Sequence, residues 1–145
     1  MEKTKPSIKP KRKALSKAER KQVYEKYNGH CAYCGCELKM QNMQADHIVS
    51  VYWNNGTNNI ENYNPSCRMC NFYKSTLSIE EFRNKLQTVT ERLEKTFIYR
   101  LAKKYGIVKE DKKKIIFYFE QFENIQPEEK ELAQDAAQQY LKSAT

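Results

Sequence analysis

Long apolar runs are missing from this chain. No stretch reaches the ~18 consecutive apolar residues of a membrane-spanning helix, so a transmembrane segment is not expected. The N-terminal segment is basic and has no apolar core, so it is not read as a secretory leader. Apolar residues are scarce overall, at 39% with a mean hydropathy of −0.91. A chain of 145 residues this polar reads as one domain, or a compact domain and a tail. With so little to bury, such a domain needs a staple, either a metal or disulfides. There is no internal repeat. Histidine and tryptophan are nearly absent, with two and one copies, so imidazole chemistry narrows to His30 or His47.

Charge, by contrast, is plentiful and unevenly placed. Residues 1–21 hold nine Lys/Arg against two Glu, and residues 26–114 hold fifteen against nine Asp/Glu. Residues 120–145 reverse the sign, with six Asp/Glu against two Lys. A basic arm and body with an acidic tail suit a polyanionic partner, with the tail turned away from it. A solubilising surface is the plainer reading of the same charges.

Composition divides the chain into three sections. Residues 1–15 read as a disordered basic arm carrying Pro6 and Pro10. Residues 1–21 are expected to add non-specific affinity and no chemistry. Residues 16–78 read as the functional domain. Its first helix starts at Ser16, where Glu19 completes a capping box, and ends at Asn28-Gly29. Residues 79–145 read as a helical and strand C-terminal extension. There Ile79, Phe82, Leu86, Val89, Leu93, Phe97, Leu101 and Tyr105 recur at helical spacing, as one long helix or two with a break near Thr96, closed by Gly106. Ile115-Ile116-Phe117-Tyr118-Phe119 is rich in β-formers and predicts a strand, paired with Ile107-Val108. Pro127 opens a last helix.

Chemistry concentrates between residues 30 and 75. Cys31-x2-Cys34 and Cys67-x2-Cys70 form two knuckles, and four thiolates so spaced satisfy a tetrahedral structural Zn²⁺. Disulfides are the alternative, disfavoured if the protein is cytosolic, the expected location for a chain without a leader. Cys36 is left as a spare thiol. The gap between the knuckles exceeds what a plain zinc ribbon needs, so the zinc clamps something folded inside it.

Asp46-His47 lies in that gap, and Asn71 and Lys74 come after the second knuckle. If 67–75 is helical, Cys67, Cys70, Asn71 and Lys74 share one face. A carboxylate and an amide oxygen brought together make a hard oxygen site suited to Mg²⁺ or Mn²⁺. His30 abuts a zinc ligand and reads as a knuckle residue or alternative ligand. His47 is left as the natural general base.

The order Cys31-x2-Cys34, Asp46-His47-Ile48, Asn62, Cys67-x2-Cys70-Asn71-x2-Lys74 resembles the HNH endonuclease family, in its zinc-containing ββα-metal form and with Asn at the last motif position. The resemblance spans about 28–78. It implies an α+β fold with a zinc-clamped ββα-metal core, flanking helices and a C-terminal strand-helix element. It implies hydrolysis of DNA phosphodiester bonds, with double-stranded DNA as substrate, His47 as general base, and a catalytic divalent metal on Asp46 and Asn71. Asn62 would hold the loop and orient the histidine, and Lys74 would neutralise phosphate. Such proteins are bacterial or phage-encoded, which places this one in the cytoplasm of a bacterial cell or phage-infected host. One site nicks one strand, so double-strand cutting would require a homodimer or two visits. A non-catalytic zinc module that binds nucleic acid is the rival. Two departures stand out. Asn71 replaces the family's last His, and Val51-Tyr52-Trp53-Asn54-Asn55-Gly56 replaces the usual Pro and Gly-Gly. That loop places an aromatic against DNA, or packs Trp53 over the zinc.

Overall fold

The computed structural model describes residues 12–53, 55–122, 124 and 127–143. The α+β class expected from the sequence is the class found. Two short strands and seven α-helices form among the described residues, with a 3-10 turn at Ile60–Asn62. Most of the arm, 1–11, lies outside the described residues. By internal packing the chain divides into two units. One combines Met1–Ser78 with Ile116–Thr145, and the other is Ile79–Ile115.

In the first unit, α1 (Lys17–Glu25) begins as its capping box predicts. Ser16 Oγ accepts from Glu19 N–H while the Glu19 carboxylate accepts from Ser16 N–H. The helix buries Val23 and Tyr24 and braces the segment 38–43 that leads into the first strand. Arg20 donates to the carbonyls of Met40 and Met43, and Tyr24 Oη donates to the Leu38 carbonyl at 2.9 Å. Just past its end, Lys26 Nζ bonds Tyr63 O at 2.9 Å.

The strands β1 (Gln44–His47) and β2 (Tyr63–Ser66) pair antiparallel, Gln44 against Ser66 and His47 against Tyr63. The first strand is short, and 40–42 before it are a turn. After β2, α2 (Arg68–Lys74) is capped by Cys67. Together, β1, β2 and α2 are the strand-strand-helix core.

The C-terminal strand does not form, which corrects that part of the expected fold. Tyr118–Phe122 is instead the short helix α6. The β-former run is used for packing, not for pairing. Phe117 is buried with its ring 5.4 Å from that of Tyr33, and the N–H groups of Tyr118 and Phe119 donate to the carbonyls of Tyr33 and Ala32. Gly35 sits under Tyr118, where a Cβ would lie 2.8 Å from the ring, at a φ of +77°. The last helix, α7 (Pro127–Ser143), starts at its proline as expected and brings Tyr140 to Tyr24, ring centroids 6.3 Å apart.

The second unit is helical. The long periodic pattern is broken into α3 (Ile79–Gln87), α4 (Val89–Leu93) and α5 (Phe97–Lys104), the last break falling near Thr96. Gly106, at a φ of +70°, ends α5 in a Schellman turn, with Ile107 N–H reaching Ala102 O. Lys103 Nζ bridges Glu94 and Glu110 at 2.9 and 3.0 Å. No described helix is long and apolar enough to cross a membrane.

Candidate active site

The two knuckles meet. In the first, Cys31 N–H donates to Cys36 O and Gly35 N–H to Cys31 O, so the chain turns back on itself. In the second, Cys70 N–H donates to Cys67 Sγ at 3.4 Å. The Sγ atoms of Cys31, Cys34, Cys36 and Cys67 all lie within 4.8 Å of one another, and Cys34 and Cys67 are 3.8 Å apart. Cys70 joins them through a thiol contact with Cys31. That contact, with the backbone N–H groups of Cys67, Cys34 and Tyr33, pulls the Cys31 thiol down to about 4 against the opposing push of burial. Soft sulfur donors at this spacing fit a tetrahedral metal ion. Cys36, a spare thiol by spacing alone, is one of that mutually close group of four, and Cys70, expected as its fourth member, is not.

Between the knuckles, β1 turns successive side chains to opposite faces. Asp46 points inward and is buried. Its Oδ2 accepts from Tyr33 Oη at 2.5 Å and from Lys74 Nζ at 2.9 Å. Burial pushes the Asp46 carboxyl up, and the Lys74 ammonium and Tyr33 hydroxyl oppose that push. Lys74 is fully buried and also donates to the His47 carbonyl at 2.9 Å. As placed, it faces no solvent phosphate. It ties α2 to the strand that carries Asp46 and His47.

His47 lies on the other face of β1, half-buried, with its ring 4.4 Å from that of Tyr63. Nε2 is 3.0 Å from Asn58 Oδ1, which also accepts from Tyr63 Oη at 3.3 Å. An amide oxygen can only accept, so this contact assigns the proton to Nε2 and leaves the Nδ1 lone pair free. Burial lowers the His47 pKa below its usual value, Asn58 opposes this, and the Arg12 cation adds to it. The ring is therefore neutral near pH 7.

Asn62 staples the loop between β1 and β2. Its Oδ1 accepts from Val49 N–H, and its Nδ2 donates to Val49 O and Thr57 O at 2.9 and 2.8 Å. Ile48 N–H donates to Asn62 O. Asn71 lies three residues before Lys74, on the same side of α2.

Residues 31–76 match the HNH endonuclease family model. No curated protein matches the chain. The family match points to a nuclease or nucleic-acid-related role for the segment. Within the matched segment, the sequence-predicted residues divide by placement. Asp46, His47 and Lys74 come together, with Asn62 securing the loop behind them. The ring contact expected of Asn62 is made by Asn58 instead. Both side-chain contacts of Asp46, from Tyr33 and Lys74, fall on Oδ2. Among the described residues no second carboxylate or imidazole joins it in a group of three, so a hard cation here would complete its shell with water and phosphate oxygens.

His30, read as a knuckle residue or ligand, is a knuckle residue. Its Nδ1 lies 2.9 Å from Asn28 O, and its ring stacks on Tyr118. Asn58, Tyr33 and Tyr63 were not legible as site residues, because only the fold brings them to Asp46 and His47.

Proposed function

We propose that the protein is a metal-dependent endonuclease that hydrolyses DNA phosphodiester bonds, with His47 as general base. The observation that carries this reading is the 3.0 Å contact between His47 Nε2 and Asn58 Oδ1, which favours the proton on Nε2 and the lone pair on Nδ1, on a strand that Lys74 ties to α2. A water held at Nδ1 gives up its proton there as its oxygen bonds to phosphorus, and the bond from phosphorus to the leaving sugar oxygen breaks. Asp46 and Asn71 would hold Mg²⁺ or Mn²⁺, which when bound stabilises charge on the phosphate and the leaving oxygen. Asn62 holds the loop. Lys74 acts as a positioning residue by pairing with Asp46, and leaves phosphate neutralisation to other cations.

Zn²⁺ is the metal proposed for the knuckles, held by Cys31, Cys34, Cys67 and Cys70, with Cys36 beside them. The substrate is double-stranded DNA, and a homodimer would serve double-strand cutting. A bacterial or phage-infected cytoplasm suits the reduced thiols.

One observation favours a second reading, a non-catalytic zinc-dependent module that binds nucleic acid. The buried Asp46–Lys74 pair leaves little net negative charge to attract a cation. Nicking of supercoiled plasmid in Mg²⁺, with His47→Ala as control, separates the two. A nuclease relaxes the plasmid and loses that activity in the variant. A binding module retains the plasmid without cutting it.

A further inference from the structure

The last residues of the basic arm do not hang free of the domain. Arg12 and Lys13 share a cavity of about 330 Å³ with Leu15, Arg20, His47 and Tyr63. Within the first unit this is the cavity that His47 lines. Among the described residues its wall carries three cations and no acidic side chain. A solvated basic tail would not be expected to end there.

The three cations differ in what they already do. Arg20 is committed to the carbonyls of Met40 and Met43, which makes it part of the wall. Lys13 pairs with Glu19 at 3.0 Å, and Glu19 is itself held in the capping box of α1. That pair anchors the arm to the domain. Arg12 has its guanidinium 5.5 Å above the ring of Tyr52, and no carboxylate partner among the described residues. Contact with a ring face positions the cation and leaves its in-plane N–H fork available, the geometry that takes two oxygens of one phosphate. Tyr52 belongs to the loop stapled by Asn62, so the cation and the base are set by the same loop.

We propose that Arg12, steadied by Tyr52 and by the Lys13–Glu19 anchor, is a backbone-phosphate subsite that holds a substrate phosphodiester in the cavity beside His47. This rests on the nuclease reading and adds to it a positioning role for the arm. The ligand is the phosphodiester monoanion of a nucleic-acid backbone. The expectation that the arm adds affinity alone then fails at Arg12, whose loss reaches the rate as well as the binding.

Two measurements on the full chain test this, comparing wild type with Arg12→Ala and Arg12→Lys. The first is single-turnover plasmid nicking with protein in saturating excess, which removes affinity from the comparison. Arg12→Ala is expected to lose about 10²-fold in that saturating rate, the scale of losing one donor to a reacting oxyanion, and Arg12→Lys to recover part of it. The second is the salt dependence of binding to a short duplex, with His47→Ala as background so that nothing is cut. Arg12→Ala is expected to flatten the log–log slope by about 0.9, the loss of one phosphate contact. An unchanged slope overturns the subsite. A flattened slope with a wild-type saturating rate overturns its place beside His47. If wild type cuts nothing, the nuclease reading fails on its own, and the slope alone decides whether Arg12 holds a phosphate.

Discussion

Lys74 Nζ lies 2.9 Å from Asp46 Oδ2, with side chains 0% and 5% exposed, and also donates to the carbonyl of His47. Helix α2 thereby fixes the strand bearing the candidate base. Removing one partner of a buried pair leaves an uncompensated charge, so Lys74→Ala should cost about 3–5 kcal/mol of stability. Asp46→Asn with Lys74→Met should recover much of that loss, because both charges leave together. Chemical denaturation of wild type and the two variants measures this. A loss under about 1 kcal/mol for Lys74→Ala contradicts the anchoring role.

Metal removal should unfold the core. A structural thiolate site contributes on the order of 10 kcal/mol of apparent binding free energy, more than a small domain can lose. Five thiols converge where four suffice, so Cys36→Ser and Cys70→Ser should each retain one Zn²⁺, while the double variant loses it. Elemental analysis of the purified proteins reads the result. Protein free of zinc and fully folded contradicts the clamp.

Much of this was legible because it is written in short spacings. The knuckles, the Asp46-His47 pair, the Ser16 capping box and the Gly106 helix end each depend on residues a few positions apart, and local backbone geometry decides them. What was missed depends on distant pairing. The run from Ile115 to Phe119 has strand propensity, but Phe117 finds Tyr33 and the backbone finds the carbonyls of Ala32 and Tyr33, so no strand forms. Tyr33 reads as an aromatic inside a knuckle until β1 brings Asp46 to its hydroxyl. In the substituted loop the ring that meets a cation is Tyr52, where the sequence drew attention to Trp53. Asn62 could be placed by its family position, whereas Asn58 has no motif to mark it.

Asn58 should act through His47. Without its Oδ1, Nε2 loses the acceptor that keeps the proton there, and the ring is free to present the wrong nitrogen. Asn58→Ala should lower kcat by about tenfold, less than the ~10²–10⁴ of losing the base, with KM little changed. Asn58→Asp, which restores an acceptor, should recover activity and raise the pKa of His47. A kcat unchanged in Asn58→Ala contradicts the tautomer assignment.

The pH profile carries a sign. Burial holds the His47 pKa below its ordinary 6.5, and Arg12 presses in the same direction. The ring is a base only when neutral, so log kcat should rise with pH through a midpoint below 6.5 and be flat from there to about pH 8. Removing the Arg12 charge makes protonation easier, so Arg12→Ala should move the acid limb to higher pH. A limb centred above about 7 in wild type contradicts the environment assigned to His47.

The most direct test is the time course of supercoiled-plasmid nicking by wild type and His47→Ala, each shown to be folded and zinc-loaded, across Mg²⁺ and Mn²⁺ concentrations. Wild type should nick in either metal. His47→Ala should be slower by about 10²–10⁴-fold at every metal concentration, because the lost group moves a proton and does not hold the cation. Asp46→Ala and Asn71→Ala should instead regain rate as metal is raised. A His47→Ala protein that nicks at the wild-type rate would contradict the central assignment.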